Sequence, residues 1–234
     1  ILMAIFRYFA GPIVRKLSPT GILFGSSILG GLGLFWLSYA NNFGMAILSS
    51  TLFAIGVCYF WPTMLGVTSE RVPKGGAMAL AWIGAVGNLA VGLLASPIMG
   101  KIADEYTHKH LPVQETAVVL EKAANEFSML SENDGENIEN ALAVTSDVLE
   151  YNAEKGSLPE IETSNALRNV IKVIPESQVA KSASKILKPA ENYGGKISFR
   201  YLASLSIILM IILGGIYFRD RRLGGYQVEK ISLE

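Results

Sequence analysis

The sequence predicts an all-α fold: a polytopic bundle of membrane helices carrying one polar, helical extramembrane insert. Three observations lead there. Residues 17–69 contain no Lys, Arg, Asp or Glu. The 234-residue chain is 50% hydrophobic and only 17% charged, and a soluble domain cannot hide so much apolar surface from water. Finally, charge gathers in 105–197, where acidic residues outnumber basic ones and no stretch suits a bilayer.

The chain opens with ILMAIF, an apolar stub expected to be the end of a membrane helix in a fragment of a longer protein. A signal peptide would instead show a basic region followed by a cleavage site. A spanning helix needs about 20 mostly apolar residues. Four stretches qualify, at about 20–40, 45–68, 77–100 and 198–218. The second and third are joined by the charged turn SERVPKGG. Lipid offers no partner to a backbone N–H or C=O, so the chain must cross as helix and turn only at the surface. The expected organisation is membrane helices over 1–104, the insert over 105–197, a last membrane helix over 198–218 and a tail over 219–234.

Basic residues orient such a bundle. Arg7, Arg15 and Lys16 follow the stub, Arg71 and Lys74 sit in the charged turn, and Arg219, Arg221, Arg222 and Lys230 follow the last span. If the spans alternate, all three groups fall on one side, while the opposite loop, NNFG at 41–44, is uncharged. The turn and the C-terminus are therefore expected in the cytoplasm and the insert outside, in a multi-pass protein of the plasma membrane. The lipid bilayer is the expected environment, with no nucleic-acid partner.

Helical periodicity recurs in the insert at 113–130, 137–154 and 165–174, punctuated by ENDGEN, GSLPE and Pro175. Two arrangements stand: a small domain whose apolar stripes pack together, or separate amphipathic helices on the membrane rim. Its role reads first as accessory, with a cap over an entry path as the alternative. His108 and His110 lack a further fixed ligand, so no metal is expected. Cys58 is the only cysteine, which excludes an intrachain disulfide and reads as a buried structural thiol.

Polar residues within the spans are few and patterned. Gly56, Tyr59, Thr63, Gly66 and Glu70 fall at helical spacing on one face, and Pro62 should kink that helix. The face suits either a water-filled path or a tight helix contact, and Trp61 faces either the same path or lipid. In the third span Gly84, Asn88, Gly92, Ser96 and Gly100 recur every four residues, a spacing that favours close helix packing. Asn88 is the exception, because an amide at mid-membrane needs a partner across an interface or on a substrate. No span carries a mid-membrane Asp, Glu, Lys, Arg or His, so no intramembrane proton relay is read here. Without a nucleophile–base pair, phosphate loop or ligand cluster, neither an enzyme nor a cofactor is expected.

Two segments share a skeleton: FRYFAGPIVRKLSP at 6–19 and PIMGKIADEY at 97–106, with Gly11 aligned to Gly100 and Ile13 to Ile102. Internal repeats of this kind mark transporter folds. Together with WPTMLGVTSERVPKGGA, they resemble the C-terminal half of a major facilitator superfamily transporter, over roughly 1–106 and 197–222. The resemblance implies helices nine to twelve of a twelve-helix bundle, with the stub as the end of helix eight. The family's loop motif, Gly-x-x-x-Asp-basic-x-Gly-basic, is matched by Gly11 and Lys16. It is broken by Arg15, Ser18 and Pro19, while Asp104 supplies the acid in the later copy. Arg7 belongs to the same segment. Glu70 and Arg71 stand where the family has a charge pair that latches the inward gate, with membrane-edge anchoring as the simpler reading. Helix ten lines the cavity in that family, which makes Tyr59 and Thr63 the implied substrate-facing residues, with Trp61 and Asn88 beside them. The implied activity is secondary transport of a small solute, possibly with a coupling ion, together with the N-terminal half of the same protein. The reading set against it is a non-transporting membrane protein whose helical insert binds a partner.

Overall fold

The computed structural model describes residues 17–130 and 136–229. The described residues are 87% helix, with no strand among them. Among the described residues, four helical stretches are long and apolar enough to cross a membrane: Pro19–Leu37, Phe43–Arg71, Pro73–Lys109 and Gln178–Arg222. The stub and Arg7, Gly11, Arg15, Lys16 and Lys230 lie outside the described residues. The chain divides into two compact units, one reaching to Met99 and resuming at Phe199, the other running from Gly100 to Ser198.

The first unit begins with α1 (Pro19–Leu37). Ser18 caps it, its Oγ accepting from the Gly21 N–H at 3.2 Å, and Pro19 sits at the first helical position, where a missing N–H costs nothing. Its 19 residues span about 28 Å, close to the thickness of a hydrocarbon core. α2 (Phe43–Cys58) is capped by Asn42, whose Oδ1 accepts from the Met45 N–H at 2.8 Å. α1 and α2 pack through glycines: Gly33 lies against the Phe53 backbone and Gly56 against that of Gly30, so a Cβ at either would collide. Dispersion across such a close backbone approach replaces the hydrophobic drive that lipid removes. Hydroxyls here are satisfied within their own helices, Ser27 donating to the Phe24 carbonyl at 2.7 Å and Ser49 to that of Met45 at 2.8 Å.

The second apolar stretch is interrupted. α2 stops at Cys58, Tyr59 takes φ −95° and ψ −10°, and α3 restarts over Phe60–Arg71. Pro62 accounts for it, because its ring crowds the carbonyl four residues back, that of Cys58, and it has no N–H to offer. A 3-10 turn (Pro73–Gly75) leads into α4 (Gly76–Ala90), where Gly76 has φ +48°, a conformation that costs glycine little. A π turn at Val91–Ala95 then separates α4 from α5 (Ser96–Lys109), where the sequence predicted one uninterrupted span. Half of the α1 apolar window is buried within the chain, and none of that from α4 to α5.

The second unit holds α6 (Val113–Leu130), α7 (Glu136–Lys155), α8 (Glu160–Val173) and the first part of α9 (Gln178–Arg222). Their apolar stripes pack together: Leu120, Phe127, Val148, Leu167 and Leu187 lie in one buried core. Of the two arrangements open from sequence, this is the self-packed domain. Gly156, with φ +67°, ends α7 as a left-handed cap, its N–H donating to the Asn152 carbonyl at 2.9 Å. α9 passes through Pro189 without ending. Ala183, Leu187 and Ala190 on that stretch are buried, and this packing outweighs the lost backbone bond.

Candidate functional site

Two places in the first unit gather the residues singled out from sequence. The first surrounds the helix break. Tyr59 is buried against Ile22 and Cys58, in the contact with α1. Gly56 is locked against Gly30, one turn earlier. The half of the polar stripe preceding the break therefore packs between helices. Past the break the stripe opens: Thr63 is half-buried and Gly66 has no neighbour within 4 Å of where its Cβ would stand. Trp61, 46% exposed, joins Phe60, Met64, Trp82, Ile83 and Gly87 around an apolar groove of about 460 Å³ between α3 and α4. Asn88, next in sequence to Gly87, is exposed and lies one turn before the π turn. The sequence reading missed Trp82, although a tryptophan inside a span of small residues was the available signal.

The small-residue stripe stands bare among the described residues. At Gly84, Gly92 and Gly100 an added Cβ would meet nothing within 4 Å, and Ser96 is exposed. Asp104 belongs to the other unit, where its carboxylate accepts from Arg168 at 3.4 Å while Arg168 also binds Glu191 at 2.8 Å. His110 stacks on Tyr193 in that unit, with centroids 4.4 Å apart.

The second place is the charged turn. Arg71 forms an ion pair with Asp220, which is only 7% exposed. The Arg71 guanidinium also lies 4.9 Å from the centre of the Tyr226 ring. The Tyr226 hydroxyl donates to Glu70 Oε2 at 2.6 Å, and the Glu229 N–H donates to the Glu70 carbonyl at 3.0 Å. Burial, and then the bond to Glu70, push the Tyr226 hydroxyl up to about 12, so it remains a protonated donor at neutral pH. Glu70 and Arg71 thus tie the end of α3 to the last turn of α9 and the segment that follows it. Neither Asp220 nor Tyr226 was singled out from sequence. The visible signal was a lone acid among Arg219, Arg221 and Arg222.

No family model matches the chain, no curated protein matches it in sequence, and no solved structure matches its fold.

Proposed function

We propose that the chain is part of a secondary transporter that moves a small solute by alternating access, and that it forms the C-terminal half of a bundle related to the major facilitator superfamily. The observation carrying this reading is the break of the second apolar helix at Tyr59, with a half-buried Thr63 and an open aromatic groove directly beyond it. Discontinuous membrane helices characteristically build the binding sites of such transporters, because an interrupted ladder frees backbone groups for a solute. On this reading Thr63, Trp61 and Asn88 face the pathway and Tyr59 fixes the geometry of the break. The Glu70–Tyr226 and Arg71–Asp220 contacts hold the cytoplasmic end and must rearrange when the halves rock. The protein is then a multi-pass plasma-membrane protein with a cytoplasmic C-terminus and no enzymatic activity. Its partners are a solute, with or without a coupling ion, the bilayer, and an N-terminal half that covers the bare face of α4.

The test is uptake of sugars, nucleosides and carboxylates by cells or vesicles carrying the complete transporter. Thr63→Ala and Asn88→Ala should lower uptake of one solute class without lowering membrane abundance. Full uptake by both variants would remove α3 and α4 from the pathway. The alternative, a membrane anchor for a partner-binding domain, draws on the open groove of about 640 Å³ beside His110, Val118, Lys185 and Ile186 in the second unit. Deleting 110–192 discriminates: a transporter with an accessory insert keeps its uptake.

A further inference from the structure

We propose that the cleft between α1 and α9 binds an anionic phospholipid, its phosphate on Arg200 and an acyl chain along the cleft. The cleft holds about 280 Å³ and is walled by Ile28, Leu32, Phe35, Ala203, Ile207 and Met210. Deeper in, at Gly31, the helices pinch, since a Cβ there would lie 3.0 Å from Ser206 Cβ. A slot of this size takes a hydrocarbon chain but not a helix about 10 Å across.

Arg200 lines the same cleft. Its Nε–H donates to Ser38 Oγ at 3.4 Å, and its guanidinium carbon sits 4.1 Å from the centre of the Tyr39 ring. These contacts fix the fork while its remaining N–H groups meet no carboxylate among the described residues. No counter-ion can come from α1, α2 or the loop between them, because residues 17–69 carry no acid. A cation beside hydrocarbon is costly unless an anion reaches it, and a planar guanidinium suits a phosphate oxyanion.

The depth agrees with a lipid source. Trp36, Tyr39 and Phe43 are 39%, 44% and 81% exposed around the end of α1, and exposed aromatics of this kind mark the headgroup level of a membrane protein. A phosphodiester carrying an acyl chain satisfies the cation and the apolar walls together. Phosphate alone would leave the walls unfilled. A headgroup with its own ammonium would bring back the positive charge, so the preference is for an anionic lipid.

The test is native mass spectrometry of the purified protein in detergent, titrated with phosphatidylglycerol or phosphatidylcholine. The native protein should retain phosphatidylglycerol about tenfold better, the size expected for one charge-assisted contact. Arg200→Gln should abolish that preference. Ala203→Trp, which keeps the cation and fills the cleft, should lower retention of both lipids, with helicity unchanged by circular dichroism. Undiminished preference in Arg200→Gln would overturn the proposal. So would native-like retention in Ala203→Trp, or displacement of phosphatidylglycerol by inorganic phosphate, which would assign the site to a free anion. A photoreactive side chain at Leu32 should form a lipid adduct, and a protein adduct in its place would equally overturn it.

Discussion

In the unit from Gly100 to Ser198, Leu120, Phe127, Val148, Leu167 and Val170 are fully buried, whereas along α4 and the π turn Met78, Trp82, Val86, Leu89 and Leu93 are each more than half exposed. Both regions are helical, and both carry apolar residues at regular spacing. The difference lies in the solvent each suits. The second unit is amphipathic in the manner water requires, with its stripes turned inward around one core. α4 is apolar around most of its circumference, which suits lipid or a further helix, and its glycines and Asn88 are the positions that favour the latter. Among the described residues, a core closed on itself and a span left bare are thus two ends of one comparison: the second unit buries its own stripes, and α4 leaves its apolar surface exposed.

The comparison can be broken first at the core. Phe127→Ala should cost about 3–5 kcal/mol through lost transfer energy and the cavity left behind, read as a lower melting temperature by circular dichroism. A much smaller effect would mean the self-contained core does not hold. Next is a pair of glycines in the membrane unit. Gly56→Leu forces bulk into the Gly30 backbone and should destabilise by about 1–3 kcal/mol or more, measured by unfolding in mixed detergent. At Gly92 an added Cβ meets no described residue within 4 Å, and Gly92→Leu should leave the stability unchanged. If a second half of the bundle covers that face, the same variant should impair assembly or uptake, which sharpens the comparison.

The charged end gives smaller effects. Asp220→Asn weakens the pair with Arg71 and, because Arg71 is part-exposed, should cost about 1 kcal/mol. Faster proteolysis of the tail and faster exchange of the Glu229 amide would report it. Tyr226→Phe removes one hydrogen bond at about 0.5–1.5 kcal/mol. Its pH dependence has a definite sign. A folded value raised to about 12 means the bond's contribution is fully present below the unfolded tyrosine value near 10 and is lost as pH rises through 12. Tail protection in the native protein should therefore keep the full contribution of this bond between pH 6 and 9, with no change from titration of Tyr226, and loss of tail protection across that neutral range would contradict the assignment.

The four apolar helices were legible because a bilayer imposes length and composition that a single sequence displays. The break before Phe60 was legible for the same kind of reason, since Pro62 acts locally. Helices at 113–130 and 136–155 followed from periodicity. What failed to show was set by distant contacts. The start of α9 was hidden by Pro189, Gly194 and Gly195, breakers that the core of the second unit overrides. Gly56 and Tyr59 shared a face with Thr63 by spacing, yet only the packing of α1 decided that the first two are enclosed. Asp220 and Tyr226 stand 149 and 156 residues from Arg71 and Glu70, so no local pattern could pair them.

The measurement to make first is cysteine accessibility at the open face. Cys58 is replaced by alanine in the protein as expressed in membranes, and single cysteines are placed at Thr63 and Asn88, with Ile211 as an exposed apolar control. If the proposed transport reading holds, a polar, membrane-impermeant maleimide should label positions 63 and 88, leave 211 unlabelled, and be slowed by one class among sugars, nucleosides and carboxylates. Silence at 63 and 88, equal to that at 211, would contradict a water-filled path beyond the break and leave these helices as an anchor.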